Sequence, residues 1–431
     1  MFLLVLIFLA LTSYVSAAPK ATGCSLNVLE NNGATPLFLN LNHQFPNPTY
    51  NGSAEVEFNE NEILYIACPK ADTTISNYPL EPEGEAVRCV ENTTIYALTS
   101  AKTVDFNSLT CHQQFRPYFY EQFPGQTCDL GLYLAYIGQN IANHFTPVVK
   151  LCFNLGQVVP LYSKYTTNRW SALFINYNPN IGFSYVAQRL FGNLIPGDVY
   201  TQSKQTLENM DLADYITDDV YLVPGQLADY NDFLSLYQRD LTFDYANTAP
   251  LWNTIKNGNW KSVVSSVQKL ITQEIDLGNV TILSGTLDIA TLGIHTGDHA
   301  GQHIEVFLDG KSRMPVPAWF WKLMIAPSSQ FAILFFVYNN PYVPRDQPDY
   351  DFKRVCKEDV LGNLNWVEGI NNTDPKAGIT FACLVGRDYL LDETMREIVN
   401  NALEETNIQS NLLEIPSLSM GESVKAPQKP E

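Results

Sequence analysis

The feature that most constrains this chain is the placement of its eight cysteines. Cys24, Cys68, Cys89, Cys111, Cys128 and Cys152 form an early cluster, and Cys356 and Cys383 form a late pair. An even count outside any metal-type spacing favours a disulfide framework made in an oxidising compartment. Six cysteines allow 15 pairings, and the sequence does not choose among them. The start of the chain points the same way. Residues 2–11 are an unbroken apolar run, too short to span a bilayer, and small residues follow at positions 15–18. Together they are expected to be a secretory signal over 1–17, although a basic residue ahead of the run is missing. Acceptor sequons at Asn51, Asn92, Asn279 and Asn371 fit a secreted glycoprotein.

The chain is 431 residues long, with 45% hydrophobic and 16% charged side chains. That composition buries substantial cores and excludes wholesale disorder, and the length exceeds what one core usually serves. A disulfide-rich β module is expected over 18–152, a larger domain over 153–410 and a disordered tail over 411–431. Charge is 26 basic against 45 acidic residues, a net of -19, which repels polyanions at long range. It is uneven. Residues 19–149 carry 5 basic and 13 acidic side chains (-8), 150–270 carry 9 and 10 (-1), and 271–431 carry 12 and 22 (-10).

In the larger domain, Trp260, Val263, Val264, Val267, Leu270 and Ile271 repeat at helical spacing from Asn259, with Gly278 as the stop. Strands are expected over 280–283, 304–308, 318–325 and 331–338, and a last helix over 392–405. The apolar stretch 316–338 is broken by Lys322, Pro327, Ser328 and Ser329, so it reads as two buried strands around a turn rather than as a membrane span.

From Leu222 the chain reads LVPGQLADYNDFLSLYQRDLTFDYANTAPLWNTIKNGNWKSVV. Gly225, Leu227, Ala228, Asp232 and Phe233, then Asn247, Ala249, Pro250, Trp252, Gly258, Asn259, Trp260 and Val263, resemble two blocks of the DNA/RNA non-specific endonuclease family in its secreted insect double-stranded-ribonuclease branch. Leu283-Ser284-Gly285-Thr286 and Tyr338-Asn339-Asn340-Pro341 are similar to later blocks. The resemblance covers roughly 155–405. It implies an α+β, ββα-metal endonuclease-like domain with a central mixed or antiparallel sheet, preceded here by the small disulfide-rich β domain.

The family's chemistry does not carry over with its frame. Its Arg-Gly-His block supplies a histidine that activates water, and this chain has Pro224-Gly225-Gln226. A glutamine amide cannot take a proton near neutral pH. The family's magnesium-binding asparagine falls on Lys256, whose ammonium would repel a cation, and its supporting glutamate falls on Val264. A one-residue slip offers Asn257, and Asn247 persists, which leaves these two as weak metal candidates. Loss of a general base costs about 10²- to 10⁴-fold, and loss of the metal costs several kcal/mol more.

The expectation is a secreted nuclease homologue that binds double-stranded DNA or RNA through its phosphates, without base specificity. Lys256, Gln226, Asn247, Lys261 and, by a looser alignment, Arg189 are the candidate contacts. Hydrolysis is expected to be absent or residual, with no cofactor unless residual activity retains magnesium, and no membrane association. The rival readings are a magnesium nuclease whose base and ligand come from elsewhere, and a pseudo-enzyme that binds a protein or small host molecule. Each candidate has a plainer role: Lys256 as a solvated loop lysine, Gln226 as a relic, Trp252 and Trp260 as core. His295, His299 and His303 have i, i+4, i+8 spacing, but Gly297 and Gly301 argue against the helix that would align them on zinc.

Overall fold

In the computed structural model, the described residues are 23–27, 36–42, 44–48, 55–68, 75–76, 84–111, 118–121, 125–141, 144–174, 181–274, 277–295, 299–343, 352–385 and 389–408. The expected signal, the tail and the Asn51 sequon lie outside them. No helix among the described residues is long and apolar enough to cross a membrane.

The larger unit is built on one eight-stranded antiparallel sheet whose strands lie in chain order. They are β1 (Tyr118–Glu121), β2 (Tyr133–Ile141), β3 (His144–Asn154), β4 (Val159–Thr167), β5 (Val280–Ile289), β6 (Pro317–Ala326), β7 (Phe331–Tyr338) and β8 (Thr380–Leu384). The alternation of β7 shows why its sequence is apolar throughout. Phe331, Ile333, Phe335 and Val337 enter the core on one face, and Ala332, Leu334, Phe336 and Tyr338 the core on the other. Both faces are covered, so a period-2 strand has no polar side to show.

The first face is covered by helix α1 (Lys261–Gln273), which buries Val263, Val264, Val267, Leu270 and Ile271. Trp260, just ahead of it, meets Phe320 of β6 edge-on at 5.3 Å. The opposite face carries helix α2 (Glu393–Glu405), whose N-cap Asp392 accepts a bond from the Met395 amide at 2.9 Å. The arrangement is α+β in three layers.

A five-stranded sheet of Leu37–Leu39, Ile63–Ala67, Glu85–Glu91, Thr94–Ala97 and Lys102–Asp105 forms the N-terminal module, with Gly23–Asn27 paired to Glu55–Asn59 beside it. Cys24–Cys89 and Cys68–Cys111 lie within it. Two sequence expectations need correcting here. The boundary at 152/153 falls inside β3, because residues 118–154 supply the first three strands of the larger sheet. The third early pair, Cys128–Cys152, consequently staples that sheet rather than the module. Cysteine clustering along a sequence follows the chain, whereas a sheet recruits strands by pairing. Cys356–Cys383 is the fourth bridge.

Candidate nucleic-acid interface

Between β4 and β5 the chain leaves the sheet and builds a hairpin, Leu222–Gln226 against Thr248–Trp252, that leads into α1. Gly225 is required where the strands meet, since a Cβ there would lie 2.7 Å from the Leu251 Cβ. Asn339 fastens the hairpin to the sheet. Fully buried, it donates to the Pro250 and Pro317 carbonyls at 3.1 and 2.8 Å and accepts from the Trp252 amide at 3.2 Å.

The turn joining hairpin and helix is not regular. A short α-helix, Asn253–Ile255, passes into a π-helical turn, Lys256–Trp260, before α1 begins at Lys261, two residues later than the hydrophobic pattern predicts. Gly258 breaks the helical backbone there (φ -93°, ψ -125°) and presses on the Pro375–Ala377 turn, where a Cβ would meet the Ala377 carbonyl oxygen at 2.7 Å. Asn259 holds that neighbouring loop, donating to the Gly378 carbonyl and to Asn372 Oδ1 (3.2 Å) and accepting from the Asn371 amide at 2.8 Å.

This turn aims Lys256 back at the hairpin, where its Nζ donates to the Pro224 carbonyl at 3.0 Å. The amine is half-buried. Desolvation holds its pKa below the usual lysine value, against the pull of the Asp229 carboxylate in the opposite direction. Gln226, two residues along the same strand, turns its amide nitrogen to the Thr242 carbonyl and hydroxyl, both at 3.2 Å. Asn247 shares that carbonyl, donating to it at 2.9 Å. Pro224, Gln226, Asn247 and Lys256 are therefore brought into one connected set.

Within that set the roles differ from those expected. Asn247 is fully buried and spent: Nδ2 also donates to the Ala228 carbonyl at 2.9 Å, while Oδ1 accepts from Ser163 Oγ at 2.7 Å and the Ala228 amide at 2.9 Å. It braces the loop after the hairpin strand against β4 and presents nothing to a ligand. Asn257 is exposed on the π turn, and Val264 is packed in the core at 8% exposure. Lys261 is exposed at the first residue of α1, and Arg189 is exposed on a separate short helix, Gln188–Phe191.

The residues present do not fit a magnesium ion. Asn247 has no lone pair to spare, and the neighbouring position is a cation. Among the described residues, no three His, Cys, Asp or Glu side chains are grouped to hold a metal. His295, His299 and His303 are exposed on or beside a hairpin of Thr291–Gly293 and His303–Glu305, and the His295 ring shares a 3.0 Å hydrogen bond with the Tyr215 hydroxyl.

Two acidic residues make contacts that the sequence did not disclose: Asp229, outside the matched positions, and Asp232, among them. Asp229 is half-buried and caps the Asn231 amide at 2.9 Å. Its pKa is raised by burial first and by the Asp232 charge second, and the Asn231 amide and Lys322 oppose the shift. Asp232 and Lys322 form a buried ion pair at 3.3 Å, 1% and 0% exposed. Tyr165 donates its hydroxyl to the same Asp232 oxygen at 2.5 Å, and Lys322 Nζ reaches the Tyr165 hydroxyl at 2.9 Å and Ser284 Oγ at 3.3 Å. The signal for this pair was Lys322 itself, a lone charge in an apolar strand.

A hairpin crossing into a helix on the face of an antiparallel sheet, with the site where hairpin and helix meet, is the scaffold of a ββα nuclease. Residues 136–388, more than half of the chain, match the family described as DNA/RNA non-specific endonuclease, and the chain belongs to that family. It is similar to a salivary endonuclease of Lutzomyia longipalpis, with 26% identity over 77% of this chain and 81% of that one. It is also similar to the salivary protein Tsal1 of Glossina morsitans morsitans, at 25% identity over 60% of this chain and 63% of that one. Salivary protein Tsal2A of the same fly is 25% identical over 44% of this chain and 45% of its own. A chain in the crystal structure of the EndoG/EndoGI complex overlaps 52% of this chain and 79% of its own, at 16% identity and a TM-score of 0.33, a likeness too loose to bear on the site.

Proposed function

We propose that this is a secreted nuclease homologue that holds double-stranded nucleic acid by its phosphates, reads no base sequence, and hydrolyses it little or not at all. One observation carries the reading. Where the family places an ion and a base, this chain has an ammonium tethered to the Pro224 carbonyl and a primary amide donating to Thr242. A lysine with one backbone partner keeps donors for a phosphate oxygen, and an amide takes no proton. Lys261, one turn along, extends the contact, and Arg189 is the outlying candidate. The near-neutral charge of residues 150–270 lowers the barrier to approach, since the acidic flanks are screened beyond about 8 Å at physiological salt. Four disulfides and the salivary relatives support secretion.

The test is digestion of plasmid and duplex RNA by the purified full chain, with magnesium or with chelator. No metal-dependent cleavage is expected, together with retardation of duplexes that weakens steeply with salt. Rapid magnesium-dependent cleavage overturns the reading.

A second reading rests on Asp229, a carboxylate of raised proton affinity whose charge acts on Lys256, and on a relative whose name is that of an endonuclease. Under it Asp229 is the base that Gln226 is not, and Asp229→Asn abolishes whatever cleavage the digestion reveals.

A further inference from the structure

Two of the three histidines that a helix would have aligned on a metal are brought together by a hairpin instead. Thr291–Gly293 pairs antiparallel with His303–Glu305, with Gly293 opposite His303, and the Ile294 amide extends the pairing to the Gln302 carbonyl at 2.8 Å. In such a ladder alternate residues share a face. Leu292, Ile294 and Val306 enter the core, whereas His295 and His303 are exposed on the other side. They are diagonal neighbours across the two strands, within reach of each other's rings.

Gly293 stands on the same face and puts no side chain between them. The point where its Cβ would be lies 3.6 Å from His295 Nε2, 3.4 Å from His303 Nε2 and 3.7 Å from the Tyr215 hydroxyl oxygen. The two ring nitrogens are therefore no farther apart than the sum of the first two distances, and both border one space that a side chain would otherwise fill. The His303 ring has no hydrogen-bond partner among the described residues. His295 Nε2 is 3.0 Å from the Tyr215 hydroxyl, which donates to the Gly293 carbonyl at 2.9 Å. A hydroxyl has one proton, so with that proton on the carbonyl the phenol oxygen faces the ring as an acceptor.

The donors decide the class of ligand. Two imidazole nitrogens suit zinc and copper(II), which bind such nitrogens at about 2.0–2.1 Å, and not magnesium or calcium, which demand oxygen. Both rings are exposed, so turning them about their own side-chain bonds onto a common ion disturbs no packing. The local charge also favours a cation. Residues 271–431 carry 12 basic and 22 acidic side chains, the same excess that works against a polyanion.

We propose that His295 and His303 chelate one divalent transition-metal ion, zinc or copper(II), over Gly293. Water completes the ion's shell, and the Tyr215 oxygen accepts a hydrogen bond from that water, which holds it in place. None of these residues belongs to the set of Pro224, Gln226, Asn247 and Lys256. The metal site therefore stands or falls apart from the phosphate reading.

The test uses the full chain without a histidine tag, cleared of metal by a chelator that is then removed. It is titrated with zinc chloride by calorimetry and with copper(II) chloride followed by electron paramagnetic resonance. One ion per chain at a micromolar Kd is expected for at least one of the two metals, with nitrogen coupling from two imidazoles in the copper spectrum. His303→Ala removes an exposed, unpartnered ring, so the melting temperature of the metal-free chain should not move. Affinity should nonetheless fall at least about tenfold, and the coupling should reduce to one nitrogen. His295→Gln should do the same. No saturable binding of either metal below about 100 μM overturns the proposal, as does binding that is indifferent to both substitutions, which would be that of an adventitious ion only.

Discussion

Lys322 and Lys256 are both drawn out of water, yet their surroundings make them different instruments. Lys322 has no exposure and divides its ammonium among Asp232, the Tyr165 hydroxyl and Ser284, so its charge is neutralised on the spot. Lys256 is half-buried, has the Pro224 carbonyl as its hydrogen-bond partner, and feels Asp229 only at a distance. A fully met charge holds strands together and does nothing else. An under-met charge near the surface is, under the reading proposed above, available to an incoming anion, and desolvation lowers its pKa.

The largest expected effect tests the first half of this contrast. Lys322→Met leaves the Asp232 carboxylate buried without its cation and is expected to cost about 3–5 kcal/mol in denaturant unfolding, with most of the loss recovered when Asp232→Asn is added. A cost below about 1 kcal/mol would mean that the two lysines are not so different.

Next in size is Lys256→Ala. Stability should stay within about 1 kcal/mol, whereas duplex binding should fall for all sequences alike, by about fivefold near 0.15 M salt, with the slope of log affinity against log salt reduced by about 0.9. Retardation assays across a salt series read both quantities, and unchanged affinity returns Lys256 to an ordinary loop lysine.

The smallest effect is in pH. The protonated amine is the form that pairs with phosphate, and burial sets its pKa below the usual 10.5. Affinity should therefore be complete below that lowered pKa and be lost as pH rises through it, ahead of the exposed lysines. Lys256→Arg does not titrate in this range and should abolish the early loss. Parallel pH profiles for the two proteins would remove Lys256 from the interface.

The sequence disclosed much of the frame and less of the site. The two apolar strands β6 and β7 were legible because both faces are buried, and α1 was legible because its stripe has a 3.6-residue period. Lys322 was visible only as an interruption; its partner lies 90 residues away, and pairings at that separation leave no local pattern. Asn247 read as a surviving site residue because sequence records a side chain's type and not how its bonds are used. The replacements Gln226 and Lys256 were legible as chemistry, but the inward aim of Lys256 was not, since it depends on a π turn that only packing explains.

That turn has a consequence for how the protein tolerates change. The backbone carrying Lys256 is clamped at Gly258 and Asn259 by the stretch 371–378, more than a hundred positions downstream, which itself begins with a sequon asparagine. Exchanging that distant stretch between relatives should carry the reach of the amine with it, so two proteins identical from 222 to 264 need not grip a polyanion with equal strength.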